Sequence, residues 1–318
     1  MTVVVVGAGI SGLACAGALA AAGIPVEVLD RARVTGGRMA TRRLDGRPVD
    51  LGAAYFTTGD PAFAAVAERW RAAGLARSWT DTFAVYDPDG RHDTTGPVRW
   101  AAPAGLRSLP EELAAGLPAG VTTGRTVTRV GPGPTVDGAP AEAVVLAMPG
   151  PQAARLLDPA LATAARAAAA RRWLPALAVV LRYPARTWAG FAGAFVNGHP
   201  VLATVCDDGD RRGDGAPVLV AHTTAGFARE HLADPAAAGP PVAAAVRDLL
   251  ELPGAAVGTY VHRWAYARPE PGGDDGAYHL DDELVGLAGD AFGRPGVPTA
   301  WASGDALGRA LAGRLRAA

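Results

Sequence analysis

The first apolar run of the chain is short, β-branched and broken by glycine. Residues 2–6 are Thr-Val-Val-Val-Val, which is typical of a buried strand, and the residues at 13–19 favour a helix. A second apolar run at 26–29 predicts the next strand. The start of the chain therefore predicts a β-α-β unit with the sequence GAGISG, residues 7–12, in its first turn.

The turn at 7–12 carries glycine where a dinucleotide-binding turn requires it. Gly7 permits the tight bend, Gly9 lets backbone N–H groups approach a pyrophosphate, and Gly12 lets the helix pack close to the strand. Asp30 ends the second strand at a spacing of about 20 residues, where an acidic side chain binds ribose hydroxyls. The alternative is a glycine-rich turn in an ordinary β-α-β unit. The combination with Asp30 favours the dinucleotide site.

After the first β-α-β unit, the predicted strands and helices follow one another in a different order. Strands are predicted at 82–86, 143–147, 176–181, 194–196, 201–205, 218–223, 257–266 and 284–290, with one or two more within 121–130. Helices are predicted at 61–73, 106–117, 152–170, 227–232, 242–250 and 299–315. Strands that follow one another, with helices grouped between them, predict a second domain with a mostly antiparallel sheet.

Composition narrows the class of partner. The chain has 318 residues, 49% of them hydrophobic, which suits two domains of ordinary size. A net charge of −1 without charged blocks argues against nucleic acid and against an anionic membrane surface. No apolar run reaches transmembrane length, and two cysteines are too few for a disulfide framework. We expect a cytoplasmic protein that acts on a small molecule.

Every basic side chain other than histidine is arginine, because the chain contains no lysine. This excludes Schiff-base chemistry through lysine, attachment of pyridoxal phosphate and the phosphate-binding Walker lysine of P-loop nucleoside triphosphatases.

A second glycine turn indicates which dinucleotide is bound. Gly36-Gly37-Arg38-Met39 places a fixed cation after a glycine pair, which suits a flavin-type domain that brings an arginine to the phosphates. The cofactor is therefore expected to be FAD rather than NAD. The small residues within 49–57 would let backbone lie against a flat ring system, and the alternative is a tight bend packed for its own sake.

A related arrangement occurs near the end of the chain. Gly289-Asp290 closes a strand before the predicted helix at 299–315. Asp290 is placed to accept hydrogen bonds from a ribityl or ribose chain, and the helix start would offer N–H groups to the flavin N1–C2=O edge. The alternative for Asp290 is a turn or N-cap residue.

These motifs resemble those of renalase, especially its bacterial members. They comprise GAGISG at 7–12, GGRM at 36–39, DLGAxYFT at 50–57, LAMP at 146–149, HTT at 222–224, HRWxYARP at 262–269 and GD at 289–290 with WxSG at 301–304. The resemblance covers nearly the whole chain. It implies non-covalent FAD, a fold of the p-hydroxybenzoate hydroxylase type, and oxidation of mis-reduced dihydronicotinamide isomers with transfer of electrons to oxygen. Ala54 departs from the family, which usually has glutamine there, and the loop 292–298 also differs in composition.

The fold class expected from the sequence is α/β plus α+β, with a Rossmann-type FAD-binding domain and a mostly antiparallel substrate domain. The FAD-binding domain is predicted to comprise 1–59, 100–156 and 281–318, and the substrate domain 60–99 and 157–280. The predicted FAD contacts are Gly7, Ala8, Gly9, Ile10, Ser11, Gly12, Asp30, Arg31, Gly37, Arg38, Met39, Gly52, Ala53, Val127, Met148, Gly289, Asp290, Val297 and Ala300.

The predicted substrate contacts are Tyr55, His222, Arg263, Trp264 and Tyr266. Arg263 is expected to meet a phosphate or carboxamide, and Trp264 to pack on the substrate ring. For each of the five, a structural role in the core is the alternative. Hydride transfer from a 2- or 6-dihydropyridine to flavin N5 needs alignment and no general base, so no catalytic acid or base is assigned. Oxygen would then take the electrons and leave as hydrogen peroxide.

Two other functions remain open at this stage. An amine oxidase or desaturase could use the same scaffold, although amine oxidases of this architecture commonly place a lysine near flavin N5 and this chain has none. A flavin-binding protein without turnover, acting as a sensor or assembly partner, is the other alternative.

Overall fold

The computed structural model describes residues 2–272 and 276–317. Met1, 273–275 and Ala318, which the predicted domain ranges include, lie outside the described residues. The strands are β1 Val3–Val6, β2 Val26–Asp30, β3 Thr41–Leu44, β4 Arg47–Asp50, β5 Arg77–Asp87, β6 Gly90–Ala101, β7 Thr122–Thr123, β8 Val130–Gly131, β9 Thr135–Val136, β10 Ala139–Pro140, β11 Ala143–Leu146, β12 Trp173–Arg182, β13 Gly193–Val196, β14 Leu202–Asp207, β15 Val218–Thr223, β16 Gly258–Pro269, β17 His279–Leu280 and β18 Val285–Leu287. The helices are α1 Ile10–Ala21, α2 Pro61–Ala72, α3 Ser108–Ala115, α4 Gly150–Ala153, α5 Ala162–Ala169, α6 Asp208–Arg212, α7 Ala225–Glu230, α8 Gly239–Leu249 and α9 Val297–Ala317.

The dinucleotide-type sheet has the strand order β17-β18-β11-β1-β2-β7. All its pairs are parallel except β17 with β18, and β1 lies between β11 and β2. The central strands are buried on both faces, which explains their continuous apolar sequence. The predicted Rossmann-type unit is thus confirmed.

One face of this sheet is covered by α1 and α9, which cross at very short range. A Cβ added to Gly304 would lie 1.9 Å from the carbonyl oxygen of Ser11, and one added to Gly308 would lie 2.6 Å from that of Cys15. The two glycines stand one helical turn apart on the same face of α9. They let the backbones of α1 and α9 meet, and α9 carries its first turn to the same edge of the sheet as the first turn of α1.

The second sheet has the order β16-β12-β15-β14-β13-β5-β6, and its pairs are antiparallel except β13 with β5. This confirms the mostly antiparallel second domain. Its outer face packs against α7 and α8 around Val179, Ala228 and Val242. Its inner face packs Ala178 and Val180 against the hairpin β3–β4.

The structure contains several elements that were not predicted, among them the short strands β3, β4, β9, β10 and β17. The edge strand β6 was not predicted, because an exposed strand rich in Gly, Arg and Thr lacks apolar alternation. The predicted helix 152–170 is interrupted between α4 and α5, where Asp158-Pro159 stops the helical pattern. Helix α6 was not predicted either.

The predicted division into two domains stays a proposal, with two adjustments. Helix α5 packs on the dinucleotide-type sheet through Ala164 and Ala168, and β17 is a strand of that sheet. Both had been assigned to the substrate domain. Helix α9 packs on α1, as the proposed division requires. Among the described residues, the helices are too short or too polar to cross a lipid bilayer.

The close crossing of α1 and α9 gives a stability prediction. We expect Gly304→Ala to lower the free energy of unfolding by about 1–3 kcal/mol, because the new methyl group would overlap the carbonyl of Ser11. Gly313→Ala is the matched control on the same helix. A Cβ there meets no atom within 4 Å, so the better helix propensity of alanine should stabilise by up to about 1 kcal/mol. Urea unfolding of both variants checks this, and equal effects would contradict it.

Candidate functional site

In the first glycine turn, the protein leaves space for a side chain at Gly9 but not at Gly7 or Gly12. Gly7 has a φ of +111°, and a Cβ there would lie 2.5 Å from the carbonyl oxygen of Ala147. A Cβ on Gly12 would lie 2.0 Å from the oxygen of Gly7. A Cβ on Gly9 would meet no atom of the protein within 4 Å. Packing therefore requires Gly7 and Gly12, whereas Gly9 faces room for a ligand at the N-terminus of α1.

The second glycine turn lies directly on the first. The N–H of Gly36 donates to the carbonyl of Ala8 at 2.9 Å. Gly36 and Gly37 have φ values of 109° and 53°, which suit glycine. A Cβ on Gly37 would be 3.4 Å from the Cα of Gly9. The two turns thus form one cradle, as the sequence predicted for a flavin-type domain.

Polar groups around this cradle fit a dinucleotide. The carboxylate of Asp30 accepts from the N–H groups of Ala8 and Ala32, both at 2.7 Å, and each oxygen keeps a further lone pair for a ribose hydroxyl. The hydroxyl of Ser11, in the first turn of α1, is buried without a hydrogen-bond partner. An unpartnered donor next to an open helix N-terminus suits a phosphate oxygen. Arg31 beside Asp30 is exposed.

The predicted phosphate cation and the predicted ribityl acceptor bind each other. Arg38 makes a bidentate pair with Asp290, with N···O distances of 2.7 and 2.9 Å. Its guanidinium also donates to the carbonyl of Ala267 at 3.2 Å and lies 5.0 Å from the ring centroid of Trp173. The N–H of Gly289 is held by the hydroxyl of Ser303 at 3.0 Å. The pair joins the second glycine turn to the C-terminal GD motif and to β16.

The segment 51–54 continues the cradle. The N–H of Ala53 donates to the carbonyl of Arg38 at 2.9 Å, and a Cβ on Gly52 would lie 1.8 Å from that same oxygen. Glycine at 52 is therefore required for this close approach. The remaining predicted cofactor residues take the following positions: Ile10 in the first turn of α1, Met39 in the 3-10 turn Gly37–Met39, Val127 buried between β7 and β8, Met148 after β11, and Val297 and Ala300 buried in the first turn of α9.

A buried ion network, made of Arg47, Asp50, Asp208, Arg211 and Arg212, fixes this segment to the second sheet. Arg212 binds Asp50 at 3.2 Å, and Arg211 binds Asp208. Arg47 reaches Asp208 from β4. Asp50 also accepts from the N–H of Leu106 at 2.9 Å and from the hydroxyl of Thr41. Arg211 donates to the carbonyl of Ala54 at 2.8 Å and so holds the chain just after Gly52 and Ala53.

The carboxylate of Asp208 in this network remains ionised. Burial alone would raise the pKa of Asp208, but the guanidinium groups of Arg211, Arg212 and Arg47 outweigh burial and lower the pKa to about 2. For Arg211, burial opposes the charged form, and the carboxylates of Asp208 and Asp50 nevertheless raise its pKa. The ion pair of Asp208 with Arg211 therefore keeps both charges near pH 7.

A row of side chains crosses the inner face of the second sheet and faces the segment 51–54. Backbone pairing places its members opposite one another in the order His262, Ala178, His222, Thr204 and Phe195. Side chains on one face of a sheet recur at every second residue along each strand. We call this row the inner-face row, and it forms the side of the candidate substrate site opposite the cofactor segments.

His222, a predicted substrate contact, lies at the middle of the row. Its Nδ1 is 3.4 Å from the hydroxyl of Thr204, its Nε2 is buried without a hydrogen-bond partner, and the main chain of Leu51 and Gly52 lies beside the ring. Burial lowers the pKa of His222 to about 4, and the positive charge of Arg211 acts in the same direction. The imidazole is therefore neutral near pH 7.

Two of the predicted residues on β16 lie on the inner side. The indole N–H of Trp264 donates to the carbonyl of Leu51 at 2.7 Å, and its ring meets that of His262 edge-on with centroids 4.5 Å apart. Tyr266, two residues further along, has its hydroxyl 2.6 Å from the guanidinium of Arg155. Trp264 thus lies against the cofactor segment, while Tyr266 lies farther along the strand with Arg155.

Arg263 is not brought together with these residues. It pairs in register with Leu177, which belongs to the outer core, and its guanidinium donates to the carbonyl of Leu232 at 3.0 Å. Neighbouring residues of a strand point to opposite faces, so Arg263 and Trp264 do not share one. The expectation that Arg263 lies on the substrate face is corrected accordingly.

Tyr55 follows the cofactor segment and packs against the far end of the inner-face row. Its ring meets Phe83 edge-on at 5.6 Å, and Arg99 lies 5.3 Å from the ring centroid. Burial raises the pKa of the Tyr55 hydroxyl, and the hydrogen bond and the charge of Arg99 partly oppose this.

Sequence reasoning missed Arg99 and Arg211. Arg99 follows an exposed stretch of β6, and Arg211 stands in the charged run 207–212, which has the composition of a surface loop. For Arg211, the sequence offered one indication of a buried position, namely that the run 207–212 directly follows a buried strand.

Two families match the chain. Residues 5–70 match the NAD(P)-binding Rossmann-like domain, and residues 69–306 match the family described as flavin-containing amine oxidoreductase. The second match spans most of the chain.

Solved structures share the fold over the whole chain. Cyclohexylamine oxidase from Brevibacterium oxydans IH-35A is 15% identical, with a TM-score of 0.78 and 99% of each chain covered. Wild-type putrescine oxidase bound to putrescine is 16% identical, with a TM-score of 0.75, and the match covers 100% of this chain and 99% of the oxidase.

One curated protein is similar in sequence over a short stretch. Hydroxyneurosporene desaturase from Rubrivivax gelatinosus is 53% identical over 55 residues, which are 17% of this chain and 10% of the desaturase.

The open position at Gly9 gives a cofactor-binding prediction. We expect Gly9→Val to fold but to raise the dissociation constant for FAD at least tenfold, or about 1.4 kcal/mol, because the side chain fills the space before the helix N-terminus. Titration of the flavin-free protein with FAD, followed by absorbance, measures the effect. Gly17→Val in the same helix is the control, since a Cβ there also meets no protein atom within 4 Å. Unchanged affinity in Gly9→Val would show that FAD does not approach this turn.

The pKa of His222 gives a prediction about stability and pH. In the unfolded chain the imidazole takes up a proton at its ordinary pKa of 6.5, whereas in the folded protein the pKa of His222 is about 4. The free energy of unfolding should therefore rise with pH between about 4 and 6.5, with His222 contributing up to about 1.4 kcal/mol per pH unit. His222→Gln should lose the contribution of His222 to this slope, whereas the contributions of His262 and His279 remain in both proteins. Urea unfolding at pH 4.5, 5.5 and 7.5 tests it, and identical slopes for the two proteins would refute it.

Proposed function

Since the chain belongs to the family of flavin-containing amine oxidoreductases, we propose that it oxidises dihydronicotinamide dinucleotides, with the 2- or 6-dihydro isomers of NAD(P)H as substrates and NAD(P)⁺ as product. Family membership makes the protein an FAD-dependent oxidoreductase. The identity of the donor is the proposed part. When bound, FAD supplies a two-electron acceptor that oxygen regenerates with release of hydrogen peroxide.

One observation carries the proposal, namely the chemical character of the inner-face row. It presents the ring of Phe195 and the neutral imidazole of His222, with the ring of Trp264 beside it, and the nearby carboxylates Asp50 and Asp208 are already paired with arginines. An alkylamine is an ammonium ion near pH 7 and must lose a proton before it is oxidised. His222 is a weak base at a pKa of about 4, and the chain has no lysine. A dihydropyridine needs no deprotonation, because its ring nitrogen already makes the hydride a good leaving group.

The residues of this chain would act by placement. Trp264 holds the carbonyl of Leu51 and offers its ring to a flat substrate beside the cofactor segment. His222 presents an unpartnered Nε2 at the centre of the site, where it can hydrogen-bond a substrate carboxamide. Arg211 fixes the carbonyl of Ala54, so the wall behind the substrate is rigid. Such alignment accounts for a large part of the rate in a reaction without proton transfer.

Oxidation of an amine, or desaturation of a small molecule, is the second candidate. The family name favours it, and the solved structures that share the fold include two amine oxidases. Those structures are 15 and 16% identical and therefore support the fold alone. The two candidates differ in the charge and the proton requirement of the donor.

Anaerobic stopped-flow measurement of flavin bleaching separates the candidates. We expect the 2- and 6-dihydro isomers to bleach the flavin rapidly and 4-dihydro NADH to react poorly, because a site that aligns C2 or C6 holds C4 out of line. Trp264→Phe should slow bleaching about tenfold, since it keeps a ring but leaves the carbonyl of Leu51 without its donor.

Thr259→Ala is the control for Trp264, since Thr259 is exposed on the opposite face of the same strand. It should leave bleaching unchanged. If the flavin stays oxidised with the 2- and 6-dihydro forms and bleaches with a primary or secondary amine, the amine-oxidase function replaces the one proposed.

A further inference from the structure

The aromatic end of the inner-face row encloses a cation. The guanidinium carbon of Arg99 lies 4.1 Å from the ring centroid of Phe83, 5.3 Å from that of Tyr55 and 5.5 Å from that of Phe195. Trp79 closes the group by packing on both Tyr55 and Phe83. We call these four rings the aromatic box. Arg99 is buried, with 5% of its surface exposed.

The charge of Arg99 has no anionic partner in the part of the chain that the structure describes. One terminal nitrogen donates to the carbonyl of Asp81 at 2.7 Å, and Nε is buried without any partner. No carboxylate within residues 2–272 and 276–317 lies within 4.0 Å of it, whereas the buried Arg211 and Arg212 both bind carboxylates. A buried charge without a counter-ion is expensive, and ring faces offset only part of that cost.

The aromatic box borders the candidate substrate site. Phe56 exchanges two backbone hydrogen bonds with Trp100, at 2.8 and 3.2 Å, and this places Tyr55 beside Arg99. Tyr55 follows the cofactor segment 51–54 directly. Phe195 pairs in register with Thr204, the neighbour of His222 in the inner-face row. Arg99 therefore lies at one end of the surface that would meet the substrate.

We propose that Arg99 determines which charge a substrate can carry. Its guanidinium fills the aromatic box, which by its geometry would otherwise bind an ammonium group, and the same positive charge repels cationic donors. Its Nε–H, which has no hydrogen-bond partner in the described residues, can donate to an acceptor oxygen, such as that of a carboxamide or carboxylate. The site thus selects a neutral or anionic donor with an acceptor oxygen and rejects an ammonium ion. This inference rests on the proposed function for the location of the substrate, and it specifies that substrate by its charge.

An equilibrium experiment on the FAD-loaded protein tests the proposal without turnover. The probes are phenyltrimethylammonium and its neutral isostere tert-butylbenzene, whose binding is followed by the flavin absorption spectrum and by tryptophan fluorescence. The wild-type protein should bind the neutral probe at least tenfold more tightly than the cation. Equal or tighter binding of the cation by the wild-type protein would overturn the proposal, and this comparison requires no variant.

Substitutions assign the preference to Arg99. Arg99→Met removes the charge and keeps most of the stem, so it should reverse the preference and bind the cation at least tenfold more tightly than wild type does. Arg99→Lys keeps a cation in the box and should retain the wild-type preference. Arg229→Ala, an exposed arginine of α7 on the outer face, should change neither affinity. A preference that persists in Arg99→Met would overturn the role of Arg99.

A kinetic arm separates this inference from the proposed function. Arg99→Met should lower kcat/KM for flavin reduction by the 2- or 6-dihydro isomer about tenfold, chiefly by raising KM. If wild-type flavin is not reduced by these donors, the proposed donor fails, while the probe preference still decides the charge selection by Arg99. If these donors reduce the flavin and the probes show no preference, the proposed charge selection by Arg99 is wrong and the proposed function is unaffected.

Discussion

The position of the cofactor segment depends on the buried ion network around Asp50 and Asp208. Asp50 ends β4 immediately before the segment 51–54, and Asp208 begins α6 in the other sheet system. Both carboxylates are almost completely buried and share Arg211 and Arg212. Removal of one partner from such a group leaves an uncompensated buried charge, at a cost of about 3–5 kcal/mol. The network therefore fixes the hairpin β3–β4, and with it the segment 51–54, against the helix α6 of the substrate sheet, and the rest of the site is built on this attachment.

Three further contacts reinforce this attachment, and in all of them the acceptor is a main-chain carbonyl. Trp264 holds Leu51, Arg211 holds Ala54, and Arg38 holds Ala267 while it pairs with Asp290. In each contact a side-chain donor binds a main-chain carbonyl across the interface. The side chain of the residue that supplies the carbonyl therefore does not affect the contact. The contact of Arg211 with position 54 is made through the main-chain carbonyl, so it does not depend on the side chain of Ala54. The wall beside the cofactor is preorganised by the backbone.

The sequence predicted the parts of this protein that depend on local chemistry. Both glycine turns, Asp30 and most buried strands follow from backbone conformation or apolar periodicity, and the structure places them as expected. The parts it missed depend on long-range pairing. Arg211 and Arg212 look like surface charges until the fold brings them to Asp50, and Arg263 could be assigned to a face only once the register of β16 was known. β6 lacked a signal because an exposed edge strand has no apolar face.

Because the chain contains no lysine, arginines supply the fixed positive charges around the site near pH 7. A guanidinium group stays protonated throughout the physiological range, so Arg99, Arg211 and Arg212 are permanent cations. Arg211 and Arg212 pair with the carboxylates of Asp208 and Asp50, and their charges lower the pKa of Asp208. Arg211 in turn helps to keep His222 neutral. Among the described residues, the buried positive charge of Arg99 is left without a carboxylate partner, and the hydrogen-bonding ring of His222 is neutral near pH 7. On the proposed role of Arg99, this arrangement disfavours a donor with an ammonium charge, whereas it accepts a flat neutral ring with an acceptor oxygen.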